Sequence, residues 1–129
     1  MRNIFRTLSA IVLALGIAGP VSAINLFPEA SYVTANASNV ATFYTDAGIV
    51  TTQSLTTAAV TAVTFTINCS AVTPTSLVMA SVGNGTNTTG IPTLGTVTPG
   101  NAVATVVIFN DAAAAAFNGT LVISIVVFN

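Results

Sequence analysis

The sequence predicts an all-β protein: a single β-sandwich of seven to eight short antiparallel strands, jelly-roll or Ig-like in topology. Three observations predict it. Short β-branched runs recur at close spacing, separated by Gly, Pro, Asn and Asp. Val63, Phe65, Ile67 and Cys69 alternate with Thr64, Thr66 and Asn68, the period of a half-buried strand. Residues 121–128 carry a single polar side chain, Ser124, so both faces of that strand are expected to be covered. Together with residues 102–110, it is expected to form the centre of the fold.

Met1-Arg2-Asn3-Ile4-Phe5-Arg6 is a short positive segment, followed by the apolar residues 8–18, Gly19-Pro20 and Val21-Ser22-Ala23. That order is the pattern of a secretory signal peptide cleaved after Ala23. The apolar run is too short for a comfortable membrane span. The sequence therefore predicts a signal peptide, residues 1–23, a β-sandwich domain, residues 24–129, and no stable membrane span after cleavage.

Residues 24–37 read as a lead-in. Pro28 is unsuited to a central strand, while residues 31–34 suit an edge. Residues 40–45 favour a strand. Asp46-Ala47-Gly48 is expected to turn the chain, and residues 49–52 to resume it. Residues 53–57 are polar and read as a loop before the alternating strand 59–69. Residues 77–82 form another apolar strand. Residues 83–90 (Gly-Asn-Gly-Thr-Asn-Thr-Thr-Gly) read as a polar hairpin loop. Residues 93–98 are a strand, and Thr98-Pro99-Gly100-Asn101 has Pro and Gly at the central positions of a type II turn. Asp111, the alanines 112–116 and Asn118-Gly119 allow at most one short helical turn near 111–117.

Composition excludes several function classes. The only basic residues are Arg2 and Arg6, and there is no His or Trp. Without the leader the chain keeps Glu29, Asp46 and Asp111 as its only charges. Nucleic-acid binding needs cations to displace counterions, so no nucleic-acid partner is expected. Without His, a Ser or Cys nucleophile lacks its commonest base. The glycine-rich stretch 83–90 has no Lys to hold a phosphate. Glu29 beside Pro28, Asp46 in a turn and Asp111 at a helix cap each have a structural explanation. No catalytic residue, metal site or cofactor is therefore expected, and the protein is not expected to be an enzyme.

Cys69 is the only cysteine, so no disulfide closes within the chain. Its parity with Phe65 and Ile67 predicts a thiol pointing inward. Five Asn-x-Ser/Thr triplets occur, of which Asn84 and Asn87 lie in the polar loop and are the glycosylation candidates.

Ala47-Gly48-Ile49-Val50-Thr51-Thr52, Thr64-Phe65-Thr66-Ile67-Asn68-Cys69-Ser70, Thr75-Ser76-Leu77-Val78-Met79-Ala80-Ser81-Val82, Val97-Thr98-Pro99-Gly100 and Phe117-Asn118-Gly119-Thr120-Leu121-Val122-Ile123-Ser124-Ile125 follow in that order. The order resembles short β-sandwich modules in surface and fibre proteins of tailed phages and environmental viruses. The resemblance covers about two-thirds of the chain. It implies a structural or attachment role, often in trimers, with no enzymatic residues. The signal peptide departs from that pattern and brings in a cellular surface protein. The apolar final strand with Phe128 near its end is also similar to that of pilus subunits, whose paired cysteines are missing here.

The expected function is an exported structural or surface-display protein, on a virion surface or an extracellular surface. The alternatives are a strand-exchanging filament subunit and a carbohydrate-binding or adhesin module with a surface glycan as partner. The last would rely on Tyr32 and Tyr44 for stacking. Val122, Val126 and Phe128 share one face of the final strand, and Val106 and Ile108 one face of residues 102–110. A two-layer sandwich buries one face of each sheet. These five residues are accordingly expected to line an interface of a homo-oligomer, a trimer or a filament.

Overall fold

A computed structural model describes residues 30–129. The expected signal peptide, residues 1–23, and Glu29 lie outside the described residues. Eight strands form: β1 (Ser31–Thr34), β2 (Val40–Phe43), β3 (Ala47–Thr51), β4 (Thr61–Cys69), β5 (Leu77–Asn84), β6 (Pro92–Pro99), β7 (Val103–Asn110) and β8 (Leu121–Phe128). They make two four-stranded sheets. Sheet A has the order β1-β3-β8-β5 and sheet B the order β2-β4-β7-β6. The first six strands alternate between the sheets, so each early connection is an arch from one layer to the other. The two apolar strands of the C-terminal region, β7 and β8, are each central in their own sheet and do not pair with one another.

The β-sandwich and the strand count match expectation, but the pairing is mixed. β1 pairs with β3 and β2 with β4 in parallel, and the other four pairings are antiparallel. The physical reason is the arches. A chain that crosses to the other layer and back returns in its original direction. The stretch expected to turn at residues 46–48 shows this. Ala47 and Gly48 belong to β3 and are buried, and the chain crosses layers just before them. A side chain at Gly48 would collide with the ring of Phe43, which lies over it from sheet B.

The inner faces follow the period-two rule. Val50, Leu121, Ile123, Ile125 and Val127 of sheet A meet Phe43, Phe65, Ile67, Val106 and Ile108 of sheet B. Burying each such side chain is worth about 1.5–3 kcal/mol. Cys69 is buried with them, its Sγ 3.4 Å from the Thr45 carbonyl, as its parity predicted.

No helix forms among the described residues. The expected turn near 111–117 is irregular backbone because its polar groups are taken by tertiary partners. Asn110 is fully buried at the end of β7. Its Nδ2 donates to the carbonyls of Ala115 (2.8 Å), Thr57 (3.1 Å) and Ala58 (3.2 Å). Its Oδ1 accepts from the amides of Ile91 (3.0 Å) and Ala112 (3.2 Å). Phe117 is drawn into the core, and its amide donates to the Thr57 carbonyl. One side chain thus ties three loops, and a helix over 111–117 would forfeit those contacts.

The polar stretch 83–90 joins sheet A to sheet B and does not close a hairpin. It is clasped to residues 116–120. Asn118 Oδ1 accepts from the amides of Thr88 and Thr89, and the Thr86 amide donates to Thr120 Oγ1. Gly119 is required there, since a Cβ would strike the backbone of Thr86 and Asn87. The type II turn expected at residues 98–101 is also displaced. Gly100 donates its amide to the Val103 carbonyl, and the left-handed residue is Ala102, with φ of 57°.

Candidate assembly surface

Strand parity sorts the expected site residues. On β8 the odd-numbered residues face the core, so Val122 and Val126 are half-buried on the outer face and Phe128 is exposed there. On β7 the even-numbered residues face the core. Val106 and Ile108 are fully buried, in register with Phe65 and Val63 of β4. They are therefore corrected from interface to core residues. The outward residues of β7 are Val103, Thr105, Val107 and Phe109. Sequence reasoning missed this because both faces of β7 are apolar, and only the partner strand reveals which one turns inward.

The outer face of sheet A is built by register. Ala47 lies beside Val126, and Val126 beside Met79. Leu77 lies beside Phe128, and Tyr32 beside Ile49. Leu77, Met79, Tyr32 and Phe128 are all more than half exposed. A shallow groove of about 230 Å³ crosses this face, lined by Ala30, Ala47, Gly48, Ile49, Ser124, Ile125 and Val126. It is smaller than the usual small-molecule pocket of about 300–1,000 Å³ and offers few polar groups to orient one.

The sheet edges carry the second feature. None of the strands β1, β2, β5 and β6 contains a charged residue. β6 is guarded by Pro92, Pro99 and a bulge between Leu94 and Val97. Among the described residues, β1, β2 and β5 contain no Pro and no bulge.

The remaining candidates are dispersed. Asp46 precedes β3 at one end of the sandwich, where its carbonyl accepts from the Val127 amide. Asp111 follows β7 at the other end, beside the loops that lead into β8. An eight-residue strand separates the two ends, roughly 25 Å. A glycosidase pair needs its carboxylates within about 5–9.5 Å. Among the described residues no three His, Cys, Asp or Glu side chains gather as metal ligands. Asn84 is exposed, but Asn87 is only 4% exposed. Asn87 donates its Nδ2 to Asn84 Oδ1 and accepts the Asn118 amide, so its amide is occupied in the folded chain. Tyr32 and Tyr44 are both exposed, and a 2.8 Å hydrogen bond between Ser31 and Thr45 links the segments that carry them.

Comparison of the chain with protein-family models, curated proteins and solved structures gives no match.

Proposed function

We propose that this protein is an exported, non-enzymatic structural subunit that builds or decorates an extracellular or virion surface by associating with copies of itself. The observation that carries the reading is the absence of charge from all four edge strands. Soluble monomers guard their edges with Lys, Pro, bulges or covering loops. Among the described residues β1, β2 and β5 each end a sheet with no further strand paired to them, next to an outer face of sheet A that is largely apolar. Edge-to-edge pairing gives main-chain hydrogen bonds without any need for charged recognition. A heterologous contact of this kind closes as a ring, such as a trimer, or continues as a filament.

The order of strand motifs resembling viral surface and fibre modules supports the same reading, as does the leader-like stretch 1–23. Light scattering and electron microscopy of the exported protein test it. Rings or filaments are the expected result. A monodisperse monomer that stays soluble when concentrated overturns it.

A second reading is favoured by one observation, the two exposed tyrosines carried on linked segments. Tyr32 and Tyr44 offer faces on which a sugar ring can stack. Binding on a glycan array that is lost in both Tyr32→Ala and Tyr44→Ala supports that reading, and an array without signal removes it.

A further inference from the structure

We propose that β5 is the edge through which two copies of this chain join, antiparallel and about a two-fold axis at Ser81, so that their sheets A become one continuous sheet. The inference rests on the assembly reading and gives it an edge, a register and a symmetry.

The backbone of β5 is free on alternate residues. Asn84 lies beside Leu121, so Gly85 comes level with Thr120, and the Gly85 amide donates to the Thr120 carbonyl at 3.0 Å. Along an antiparallel ladder, hydrogen-bonded and non-hydrogen-bonded pairs alternate. Leu77, Met79, Ser81 and Gly83 therefore turn their amides and carbonyls towards β8. Val78, Ala80, Val82 and Asn84 turn theirs the other way, off the edge of the sheet. The far side of β8 agrees. The Thr52 amide donates to the Leu121 carbonyl and the Val127 amide to that of Asp46, so odd-numbered residues of β8 serve β3 and even-numbered ones β5. Among the described residues, no strand pairs with the open side of β5.

The other edges suit this contact less well. β1 and β2 are four residues long, and β6 carries two prolines and a bulge. β5 pairs with β8 over eight residues without a break, and none of them is Pro or charged. It is the longest unguarded edge among the described residues.

Its own sequence is self-complementary. With Ser81 opposite Ser81 of the second copy, Val78 meets Asn84 and Ala80 meets Val82. Each such pair exchanges two hydrogen bonds, so every outward amide and carbonyl of both strands finds a partner. Centring the pair on Ala80 instead would leave Asn84 unpaired. The side chains favour the same register. Met79, 57% exposed on the outer face, comes opposite Gly83, where a Cβ would meet nothing within 4 Å. The long side chain enters the space that glycine leaves. On the inner side Val78, Ala80 and Val82 are only partly buried against the core, and the same residues of the second copy cover them.

The area is that of a reversible contact. The strand is about 27 Å long and the sandwich about 20 Å high, so this side buries up to about 500 Å² per partner. A specific interface starts near 1,000 Å² in total, which puts the pair at the low end and makes its formation depend on concentration. The contact is isologous, and it leaves β1 and β2 for a second contact that extends the assembly.

The experiment is a cysteine comparison in the full chain. Cys69 is buried and stays in place, with the unaltered chain as the blank. In the proposed register the two Ser81 Cα atoms form a non-hydrogen-bonded pair about 4.5 Å apart, within reach of a disulfide. The two Met79 residues are displaced by about 13 Å, beyond that reach. Ser81→Cys and Met79→Cys are oxidised at micromolar concentration and read on non-reducing gels. A covalent dimer forming at least about tenfold faster in Ser81→Cys supports the proposal. Equal rates, a faster Met79→Cys dimer, or no dimer overturn it. A second measurement needs no thiol. Ala80→Pro removes an amide that points off the edge, where proline is tolerated. It is expected to at least halve the mean mass by light scattering while the β-sheet circular dichroism signal is kept, and an unchanged mass overturns the proposal. The cysteine comparison decides alone should the proline variant not fold. Rings or filaments that persist in Ala80→Pro, with no Ser81→Cys dimer, strike out this contact and leave assembly standing. An unaltered chain that stays monomeric when concentrated removes both.

Discussion

The two sheets bury equivalent inner faces and present different outer ones. Outside sheet B, one row runs Thr66, Thr105, Thr98 across three strands, with Thr42, Thr64 and Thr93 around it and Val40, Val103, Val107 and Phe109 among them. Outside sheet A the outward side chains include Ile49, Val122, Val126, Met79, Leu77 and Phe128, with Ser81 and Ser124 between them. Threonine and valine suit a strand about equally, because both are branched at Cβ. What differs is the hydroxyl, which makes the sheet B surface acceptable to water without any charge. The comparison shows a difference of degree: threonine is interleaved with Val103, Val107 and Phe109 outside sheet B, whereas Tyr32, Leu77, Met79 and Phe128 are all more than half exposed outside sheet A.

The comparison assumes that both layers are equally fixed from within. Its severest test is Asn110→Asp, at the inner end of sheet B. The substitution puts a carboxylate in a fully buried site where Nδ2 had donated to three carbonyls. The expected loss is about 3–5 kcal/mol, measured by denaturant unfolding. A loss below 1 kcal/mol would show that the three loops hold without their tie.

Next in size is a matched pair in the core. Ile123→Ala in sheet A and Ile108→Ala in sheet B each remove a fully buried side chain. Each is expected to cost about 2–5 kcal/mol. Equal costs sharpen the comparison by confining the difference to the outer faces. If one variant keeps wild-type stability, the layers are not equivalent.

The outer faces are compared directly by Val126→Lys and Thr105→Lys. Both residues are half-buried, on central strands of their sheets. Thr105→Lys is expected to stay within about 0.5 kcal/mol of wild type, with its oligomeric state intact. Val126→Lys is expected to lose about 1–2 kcal/mol, since it sets a charge in the apolar outer face of sheet A. Thermal melts and light scattering on the pair decide it, and identical behaviour would remove the distinction between the faces.

The smallest effect lies in the turns. Ala102 and Val60 adopt left-handed backbone, with φ of 57° and 56°. Such a conformation costs an L-residue about 1–2 kcal/mol, part of which glycine returns through its freer unfolded chain. Ala102→Gly and Val60→Gly are each expected to raise stability by up to about 1 kcal/mol, visible as a higher Tm. A lower Tm would place other contacts of those side chains above the backbone term.

Much of the layout was legible because period and punctuation are local. The alternation from Val63 to Cys69 indicated which way β4 faces, and the structure buries Phe65, Ile67 and Cys69 accordingly. The polar Thr and Asn between them could only face outward. The apolar β7 gave no such contrast, and Val106 and Ile108 came out inside where an interface was expected. The alanines 112–116 have helical propensity, but propensity of a few tenths of a kcal/mol per residue yields to five hydrogen bonds from Asn110. The outer-face groove had no local signal, since Ala30, Ala47 and Ser124 are distant in sequence.

The sequence by itself determined that this chain makes a layered all-β fold of short strands with a buried thiol. Strand periodicity, turn residues and the scarcity of charge are properties of neighbouring residues, and they survive any choice of strand partner. Only the tertiary structure decided that β1 and β2 pair in parallel, that β7 and β8 occupy separate sheets, and which apolar face of β7 is core. Those outcomes depend on arches that carry the chain between layers and on contacts between residues far apart in sequence. No local pattern encodes them, because the same strand can satisfy its backbone against several partners and the packing of the two layers selects among them.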